Sequence, residues 1–183
     1  MKVIDTKLSG VKIIEPDVFG DDRGYFLESY NQETFLEHGL DYTFVQDNHS
    51  LSKERGVIRG LHYQEEPYAQ TKLVRVIAGS IYDVAVDIRK NSKTYGHWIG
   101  LTLSEKNHRQ LLIPQGFAHG FCTLEANTQV LYKVDHVYSP EHERGIVWND
   151  PYLGITWPTA TPILSEKDTG LPFLKDVTEA TRR

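Results

Sequence analysis

The chain has 183 residues, 39% of them hydrophobic and 25% charged, the composition of one soluble globular domain large enough to bury a core. Twenty Lys and Arg against 25 Asp and Glu leave a net charge of −5, which excludes a protein that grips nucleic acid through a broad basic surface. No apolar run is long enough to span a bilayer and the first ten residues carry no secretory apolar region; the single Cys122 can form neither an internal disulfide nor a cysteine-based zinc site, so a reducing, cytoplasmic setting away from membranes is expected.

Taken in chain order, strands are expected at 3–8, 11–16 and 25–30, followed by one helix at 32–38. Asn31 caps that helix, Phe35 and Leu36 face inward, and Gly39 ends it. Further strands are expected near 43–51, 57–64, 71–78, 80–89, 96–104, 109–113, 118–125 and 127–138. Gly56, Glu66-Pro67, Ala78-Gly79, Asn91-Ser92, Lys106-Asn107 and Ala126-Asn127 supply the turns between them. From Pro140 onward the chain reads as irregular, with a short helix near 175–181. Many short strands and one early helix predict an all-β sandwich or barrel. No G-x-G-x-x-G follows a strand and no phosphate-binding G-x-x-x-x-G-K-[ST] occurs, so a dinucleotide-binding domain and a P-loop are not expected.

Five segments carry candidate chemistry. In FGDDRGYFLES (19–29), a Gly-bearing turn presents Arg23 in a manner suited to phosphate, with Glu28 on the following strand; a solvated surface turn is the simpler account. In VIRGLHYQ (57–64), Arg59 and His62 would face opposite sides of a regular strand, and Gly60 is where a bulge can bring both into one cavity. A core histidine beside a surface arginine fits that segment equally well. In LLIPQGFAHGF (111–121), Pro114-x-Gly116-x-x-His119 matches half of the signature of cupins, the small jelly-roll barrels. Metal-binding cupins add an earlier His-x-His and a Glu. Here that place reads His62-Tyr63-Gln64, and His97 and His108 match no ligand spacing, so no metal site is expected. In TQVLYKVDHVYSP (128–140), alternation puts Tyr132 and Tyr138 on the same face, about 20 Å apart along an extended strand. Inward packing alone accounts for both. In SEKDTGLP (165–172), Lys167 and Asp168 lie where the chain can cross a barrel mouth, and an aspartate there can orient a histidine; a turn or helix-start acid is the alternative.

Taken together, DDRGYF with Glu28, QDNHS (46–50), RGLHYQ (59–64), KLVRV (72–76), IPQGFAHGF, YKVDHVY and the late Lys167-Asp168 closely resemble the dTDP-4-dehydrorhamnose 3,5-epimerase family, in order and spacing over roughly residues 2–175. The resemblance implies a single cupin-like jelly roll, a double-stranded β-helix with a few short helices, spanning residues 1–183. It implies a homodimer whose early strands, about 2–30, reach the partner's site, and an isomerase that needs neither metal nor organic cofactor.

By that similarity His62 is the catalytic base, Asp168 its orienting partner, and Tyr132 the general acid on the other face of the sugar. Lys72 stands by the C4 carbonyl. Arg23, Glu28, Gln46, Asp47, Asn48, Arg59, His119, Glu143 and Lys167 hold the nucleotide-sugar dTDP-4-keto-6-deoxy-D-glucose, and Tyr138 stacks on its thymine. Both hydrogens to be exchanged lie alpha to the keto group, so an enolate suffices and no hydride has to move. A single-carbon epimerase, a ketoisomerase, a metal-dependent cupin enzyme and a non-catalytic sugar-binding cupin are the alternatives.

Overall fold

In the computed structural model, which describes residues 1–180, the chain runs β1 (Lys2–Asp5), β2 (Lys12–Glu15), β3 (Val18–Asp21), β4 (Gly24–Leu27), α1 (Gln32–Glu37), β5 (Gln46–Ser52), β6 (Ile58–Gln64), β7 (Lys72–Ala78), β8 (Ser80–Asp87), β9 (Trp98–Ser104), β10 (Gln110–Ile113), β11 (Phe117–Thr123), β12 (Thr128–Val134), β13 (Glu143–Gly145), α2 (Glu166–Thr169) and α3 (Leu174–Ala180). The last position of the helix expected near 175–181 lies outside the described residues. Two antiparallel sheets face each other, one ordered β1-β2-β10-β7-β12-β5 and the other β13-β6-β11-β8-β9, while β3 and β4 form a separate hairpin. This is the expected all-β, cupin-like jelly roll. No helix among the described residues is long and apolar enough to cross a membrane.

The period-2 alternation of the strands builds the interior. Val74 and Val76 of β7, Ile81 and Ala85 of β8, Phe117 and Phe121 of β11, and Val130 of β12 meet between the sheets in one buried cluster. Removing each such side chain from water contributes roughly 1.5–3 kcal/mol. The outer face of the second sheet is covered by the C-terminal segment: Leu153, Trp157 and Leu174 pack on Ile58, Leu61, Val84, Val86, Ala118 and Cys122. The outer face of the first sheet is covered by residues around α1, where Phe35 and Leu40 pack on Ile14, Leu73 and Leu112.

Local chemistry explains most boundaries. Asn31 Oδ1 accepts the amide hydrogens of Glu33 and Thr34 at 3.0 and 3.3 Å, the cap expected for α1. Gly79 turns β7 into β8 with φ +75°, and a Cβ there would sit 2.5 Å from Thr128 Oγ1. Four expectations are corrected. Leu36 does not face inward: it is 45% exposed, because a helix this short buries only the stripe that holds Phe35. The strand at 25–30 ends at Leu27 and pairs with an unanticipated β3 to make the hairpin. Strand 127–138 stops at Val134, where its ladder partners Gln46 and Lys72 are each the first residue of their own strand. The tail after Pro140 is not wholly irregular: β13 adds to β6, and Asp168 sits on the one-turn helix α2.

Candidate active site

The inward register that fills the core with valine and phenylalanine also carries polar residues at one end of the barrel. Lys72 precedes Val74, Asp83 lies between Ile81 and Ala85, His119 between Phe117 and Phe121, and Tyr132 two residues after Val130. His62 of β6 pairs in register with His119 of β11. Of these, His62, Lys72 and Tyr132 line a cleft together with Gln46, Asn48, Tyr63, Gln64, Gln70, Tyr138 and Glu143, while Asp83 and His119 are buried and outside that lining. His62 comes from one sheet and Tyr132 from the other.

The bulge considered for β6 is present. Between Arg59 and His62 the ladder to β11 advances three residues on one strand and two on the other. Gly60 permits it: a Cβ there would lie 2.6 Å from the His119 carbonyl oxygen, and its φ is +115°. Arg59 donates from Nε to Ser52 Oγ at 3.1 Å, and its charge reaches Tyr132.

His62 is oriented by a residue 106 positions away. Its Nε2 donates to Asp168 Oδ1 at 2.6 Å, and Asp168 Oδ2 accepts from Ser165 Oγ at 2.9 Å. Ser165 Oγ also caps α2 by accepting the Asp168 amide at 3.1 Å. Burial would raise the Asp168 carboxyl, but the hydrogen bond and charge of His62 outweigh it and hold Asp168 below its ordinary range. Burial pushes the Tyr132 phenol up. Burial also pushes the Lys72 ammonium down to about 8, partly offset by the negative charges of Asp83 and Glu143. At neutral pH Lys72 therefore still carries its proton most of the time. Its Nζ donates to the His62 carbonyl at 3.4 Å.

Glu143 accepts from Tyr138 Oη at 2.5 Å and pairs with Lys167 at 2.6 Å. Burial works against its ionisation, but these two partners outweigh that and keep Glu143 below its usual range. Tyr138 is not 20 Å along a strand from Tyr132. Beyond Val134 the chain turns, and two glutamines pin it: Gln46 Oε1 accepts the Tyr138 amide at 3.0 Å and Gln64 Oε1 accepts the Ser139 amide at 2.7 Å. Both tyrosines consequently line one cleft.

Of the expected binding residues, Gln46, Asn48, Lys72, Tyr138 and Glu143 line this cleft, whereas Arg23, Glu28, Asp47, Arg59, His119 and Lys167 are outside its lining. Alternation along β5 sends Gln46 and Asn48 to the cleft and Asp47 to the opposite face, where it pairs with Lys133 at 2.9 Å. Arg23 lies on the β3–β4 turn with its side chain 90% exposed, paired only with Asp21 at 2.5 Å, and Glu28 is exposed and accepts from Asn31 Nδ2 at 3.1 Å. Sequence reasoning missed Asp83, Gln64 and Gln70. Asp83 had a readable signal, a lone acid amid the apolar run of β8 on the same parity as Ile81 and Ala85. Among the described residues no three His, Cys, Asp or Glu side chains converge in a way that could hold a metal ion.

A jelly-roll barrel with a carboxylate-oriented histidine, a tyrosine from the facing sheet and a buried ammonium defines the class: a cupin-like fold with an acid–base cleft. Comparison with known proteins carries this further. The family model for dTDP-4-dehydrorhamnose 3,5-epimerase matches residues 5–176. The dTDP-4-dehydrorhamnose 3,5-epimerase of Shigella flexneri is 56% identical over 169 residues, covering 92% of this chain and 93% of that protein. The crystal structure of the Bacillus anthracis enzyme with TDP and PPi bound has a TM-score of 0.92 at 56% identity, covering 94% of this chain and 98% of that one. The Legionella pneumophila dTDP-6-deoxy-D-glucose-3,5-epimerase in complex with dTDP-4-keto-L-rhamnose has a TM-score of 0.91 at 47% identity, covering 95% and 93%. The chain belongs to the dTDP-4-dehydrorhamnose 3,5-epimerase family.

Proposed function

We propose that this protein is a carbohydrate epimerase, working without cofactor or metal, that inverts C3 and C5 of dTDP-4-keto-6-deoxy-D-glucose to give dTDP-4-dehydro-L-rhamnose, in the cytoplasmic synthesis of dTDP-L-rhamnose. The observation that carries this reading is the His62–Asp168 pair at 2.6 Å in a cleft that also holds Tyr132 and Lys72. With Nε2 donating to Asp168, the His62 Nδ1 is the nitrogen left to take a proton alpha to the keto group. Asp168 stabilises the imidazolium that results. Lys72 then faces negative charge growing on the C4 oxygen, a role for which a preorganised donor is worth about 10²–10³ in rate. Tyr132, from the facing sheet, returns a proton to the opposite side of the ring, which inverts the centre.

In this reading Gln46, Asn48, Arg59, His119, Glu143 and Lys167 hold the nucleotide-sugar around the reacting carbons, and Tyr138 stacks on the base. Lys167 and Arg59 supply positive charge for the diphosphate despite the net −5. Asp47, between Gln46 and Asn48, belongs to the same binding segment, with its side chain paired to Lys133.

The reading takes the chain as one domain that works as a homodimer. The β3–β4 hairpin supports this, with Val18 42%, Phe19 65%, Tyr25 61% and Phe26 70% exposed on a segment with no cover of its own. A second copy covers it, and Arg23 and Glu28 thereby reach the partner's nucleotide-sugar. The deciding experiment is incubation with dTDP-4-keto-6-deoxyglucose in deuterated water, followed by mass spectrometry. Two exchanged hydrogens are expected; one would indicate a single-carbon epimerase, and none would remove the reading.

A further inference from the structure

The barrel interior holds a charge that the proposed chemistry leaves unexplained. Asp83 is fully buried, yet only one of its carboxylate oxygens is partnered: Oδ1 accepts from His119 Nε2 at 2.7 Å, while Oδ2 has no hydrogen-bond partner. It is the one buried carboxylate oxygen left bare among the described residues. Leaving such an atom unsatisfied is costly unless the charge serves something nearby. The cation that feels this charge is Lys72, 8% exposed, with no described carboxylate within ion-pair reach and only a long hydrogen bond to the His62 carbonyl.

We propose that Asp83, held in place by His119, is the positioning residue of Lys72: a fixed counter-charge in the barrel interior that keeps the ammonium protonated and turned toward the carbonyl oxygen of the bound keto sugar. This rests on the epimerase reading and deepens it. The other groups facing Lys72 are His62 of β6, His119 of β11, Tyr132 of β12, Glu143 of β13, and Tyr138 on the loop after β12. None can substitute. His62 and His119 are spoken for by Asp168 and Asp83, and the tyrosines carry no charge at neutral pH. Glu143 does act on Lys72, but its charge is already shared with Lys167 and with the Tyr138 hydroxyl. Asp83 has an oxygen to spare, and the drier interior strengthens its pull.

The test is the pH profile of kcat/KM for Asp83→Asn, with dTDP affinity measured alongside. Activity that needs protonated Lys72 falls on the basic side as Lys72 deprotonates, in the wild type near pH 8. The substitution removes a charge that raises Lys72, so that limb should move to lower pH by about one unit or more, a loss of roughly fivefold or more at pH 8. dTDP, which lacks the keto sugar, should bind within about twofold of wild type. In a Lys72→Met background, Asp83→Asn should cost nothing further, because it acts through Lys72. An unmoved limb, or an equal loss with and without Lys72, overturns the proposal.

A second measurement needs neither activity nor a folded Asp83→Asn single variant. Lys72→Met removes the ammonium and keeps the apolar stem. The carboxylate infrared band of Asp83, assigned by its loss in the Lys72→Met/Asp83→Asn double variant, should then move from its wild-type position, because its unpartnered oxygen no longer faces the ammonium. An unmoved band also overturns the proposal. A wild-type protein that exchanges no sugar hydrogen would instead remove the epimerase reading, and the infrared result would still judge the Lys72–Asp83 coupling.

Discussion

The cleft between the sheets and the β3–β4 hairpin hold charged residues in opposite ways. In the cleft, Asp168 is 5% exposed at its side chain and meets both His62 and Ser165, and every strand that supplies a residue is hydrogen-bonded in a sheet. On the hairpin, Arg23 is 90% exposed and meets only an aspartate two positions away, and the apolar residues beside it face solvent. The difference teaches where preorganisation comes from. A proton-transfer site has to be rigid before substrate arrives, so His62, Lys72 and Tyr132 sit on laddered strands and the partner of His62, Asp168, is held on a capped helix. An arginine that serves a neighbouring copy needs only to be presented, and a two-strand hairpin is sufficient for that. In the proposed homodimer, chemistry would belong to one chain and the grip on the nucleotide-sugar would be shared.

The largest expected effect breaks the cleft side. His62→Ala should abolish both inverted product and solvent exchange at C3 and C5, because the cleft's other carboxylate, Glu143, is already engaged by Lys167 and the Tyr138 hydroxyl. Tyr132→Phe deletes one oxygen and leaves the ring packed. It should lose product by roughly 10²–10⁴-fold, the range typical of a general acid, yet keep proportionally more exchange, since His62 can return a proton to the face it came from. Parallel product assays and deuterium counting measure both. Equal loss of exchange in the two variants, with substrate still bound, would place Tyr132 in the deprotonation step and sink the division of labour.

Next in size is the hairpin side. Arg23→Ala and His62→Ala chains should each be nearly inactive alone, and mixing them under conditions of subunit exchange should restore part of the activity through dimers with one intact site. A mixture that stays as dead as its parents, with exchange proven by labelled subunits, would return Arg23 to the role of a solvated turn.

A smaller effect is expected at the rim, where Tyr138 is half exposed. Tyr138→Ala should weaken dTDP binding by about 1–3 kcal/mol, the usual worth of stacking a base on an aromatic ring. Calorimetry gives the affinity, and the single-turnover rate on bound substrate should change less. A collapsed rate at unchanged affinity would argue against stacking. The smallest expected effect is none: exhaustive chelation should leave turnover where it was, and activity restored by one equivalent of a transition metal would contradict the metal-free chemistry.

The sequence by itself determined what depends on neighbours a few residues away. The alternation of β7, β8, β11 and β12 specified strands with a wet and a dry side. Asn31 specified the start of α1, Gly79 a hairpin turn, and Gly60 a break in the ladder. The absence of G-x-G-x-x-G and G-x-x-x-x-G-K-[ST] spoke against a dinucleotide-binding domain and a P-loop. Residue types in order were enough to relate the chain to its family.

Only the tertiary structure decided which of those residues share a space. Nothing local tells Asp168 that it lies against a histidine 106 residues earlier, or that Asp83 meets His119 on the neighbouring strand. Nothing local turns the chain after Val134 so that Tyr138 meets the cleft of Tyr132, or puts Asp47 outside while Gln46 and Asn48 face in. Propensity, capping and period-2 patterning act over the reach of a turn or a strand. The pairing of the two sheets, and the glutamine side chains that hold loops between them, join residues whose separation along the chain carries no periodic signal.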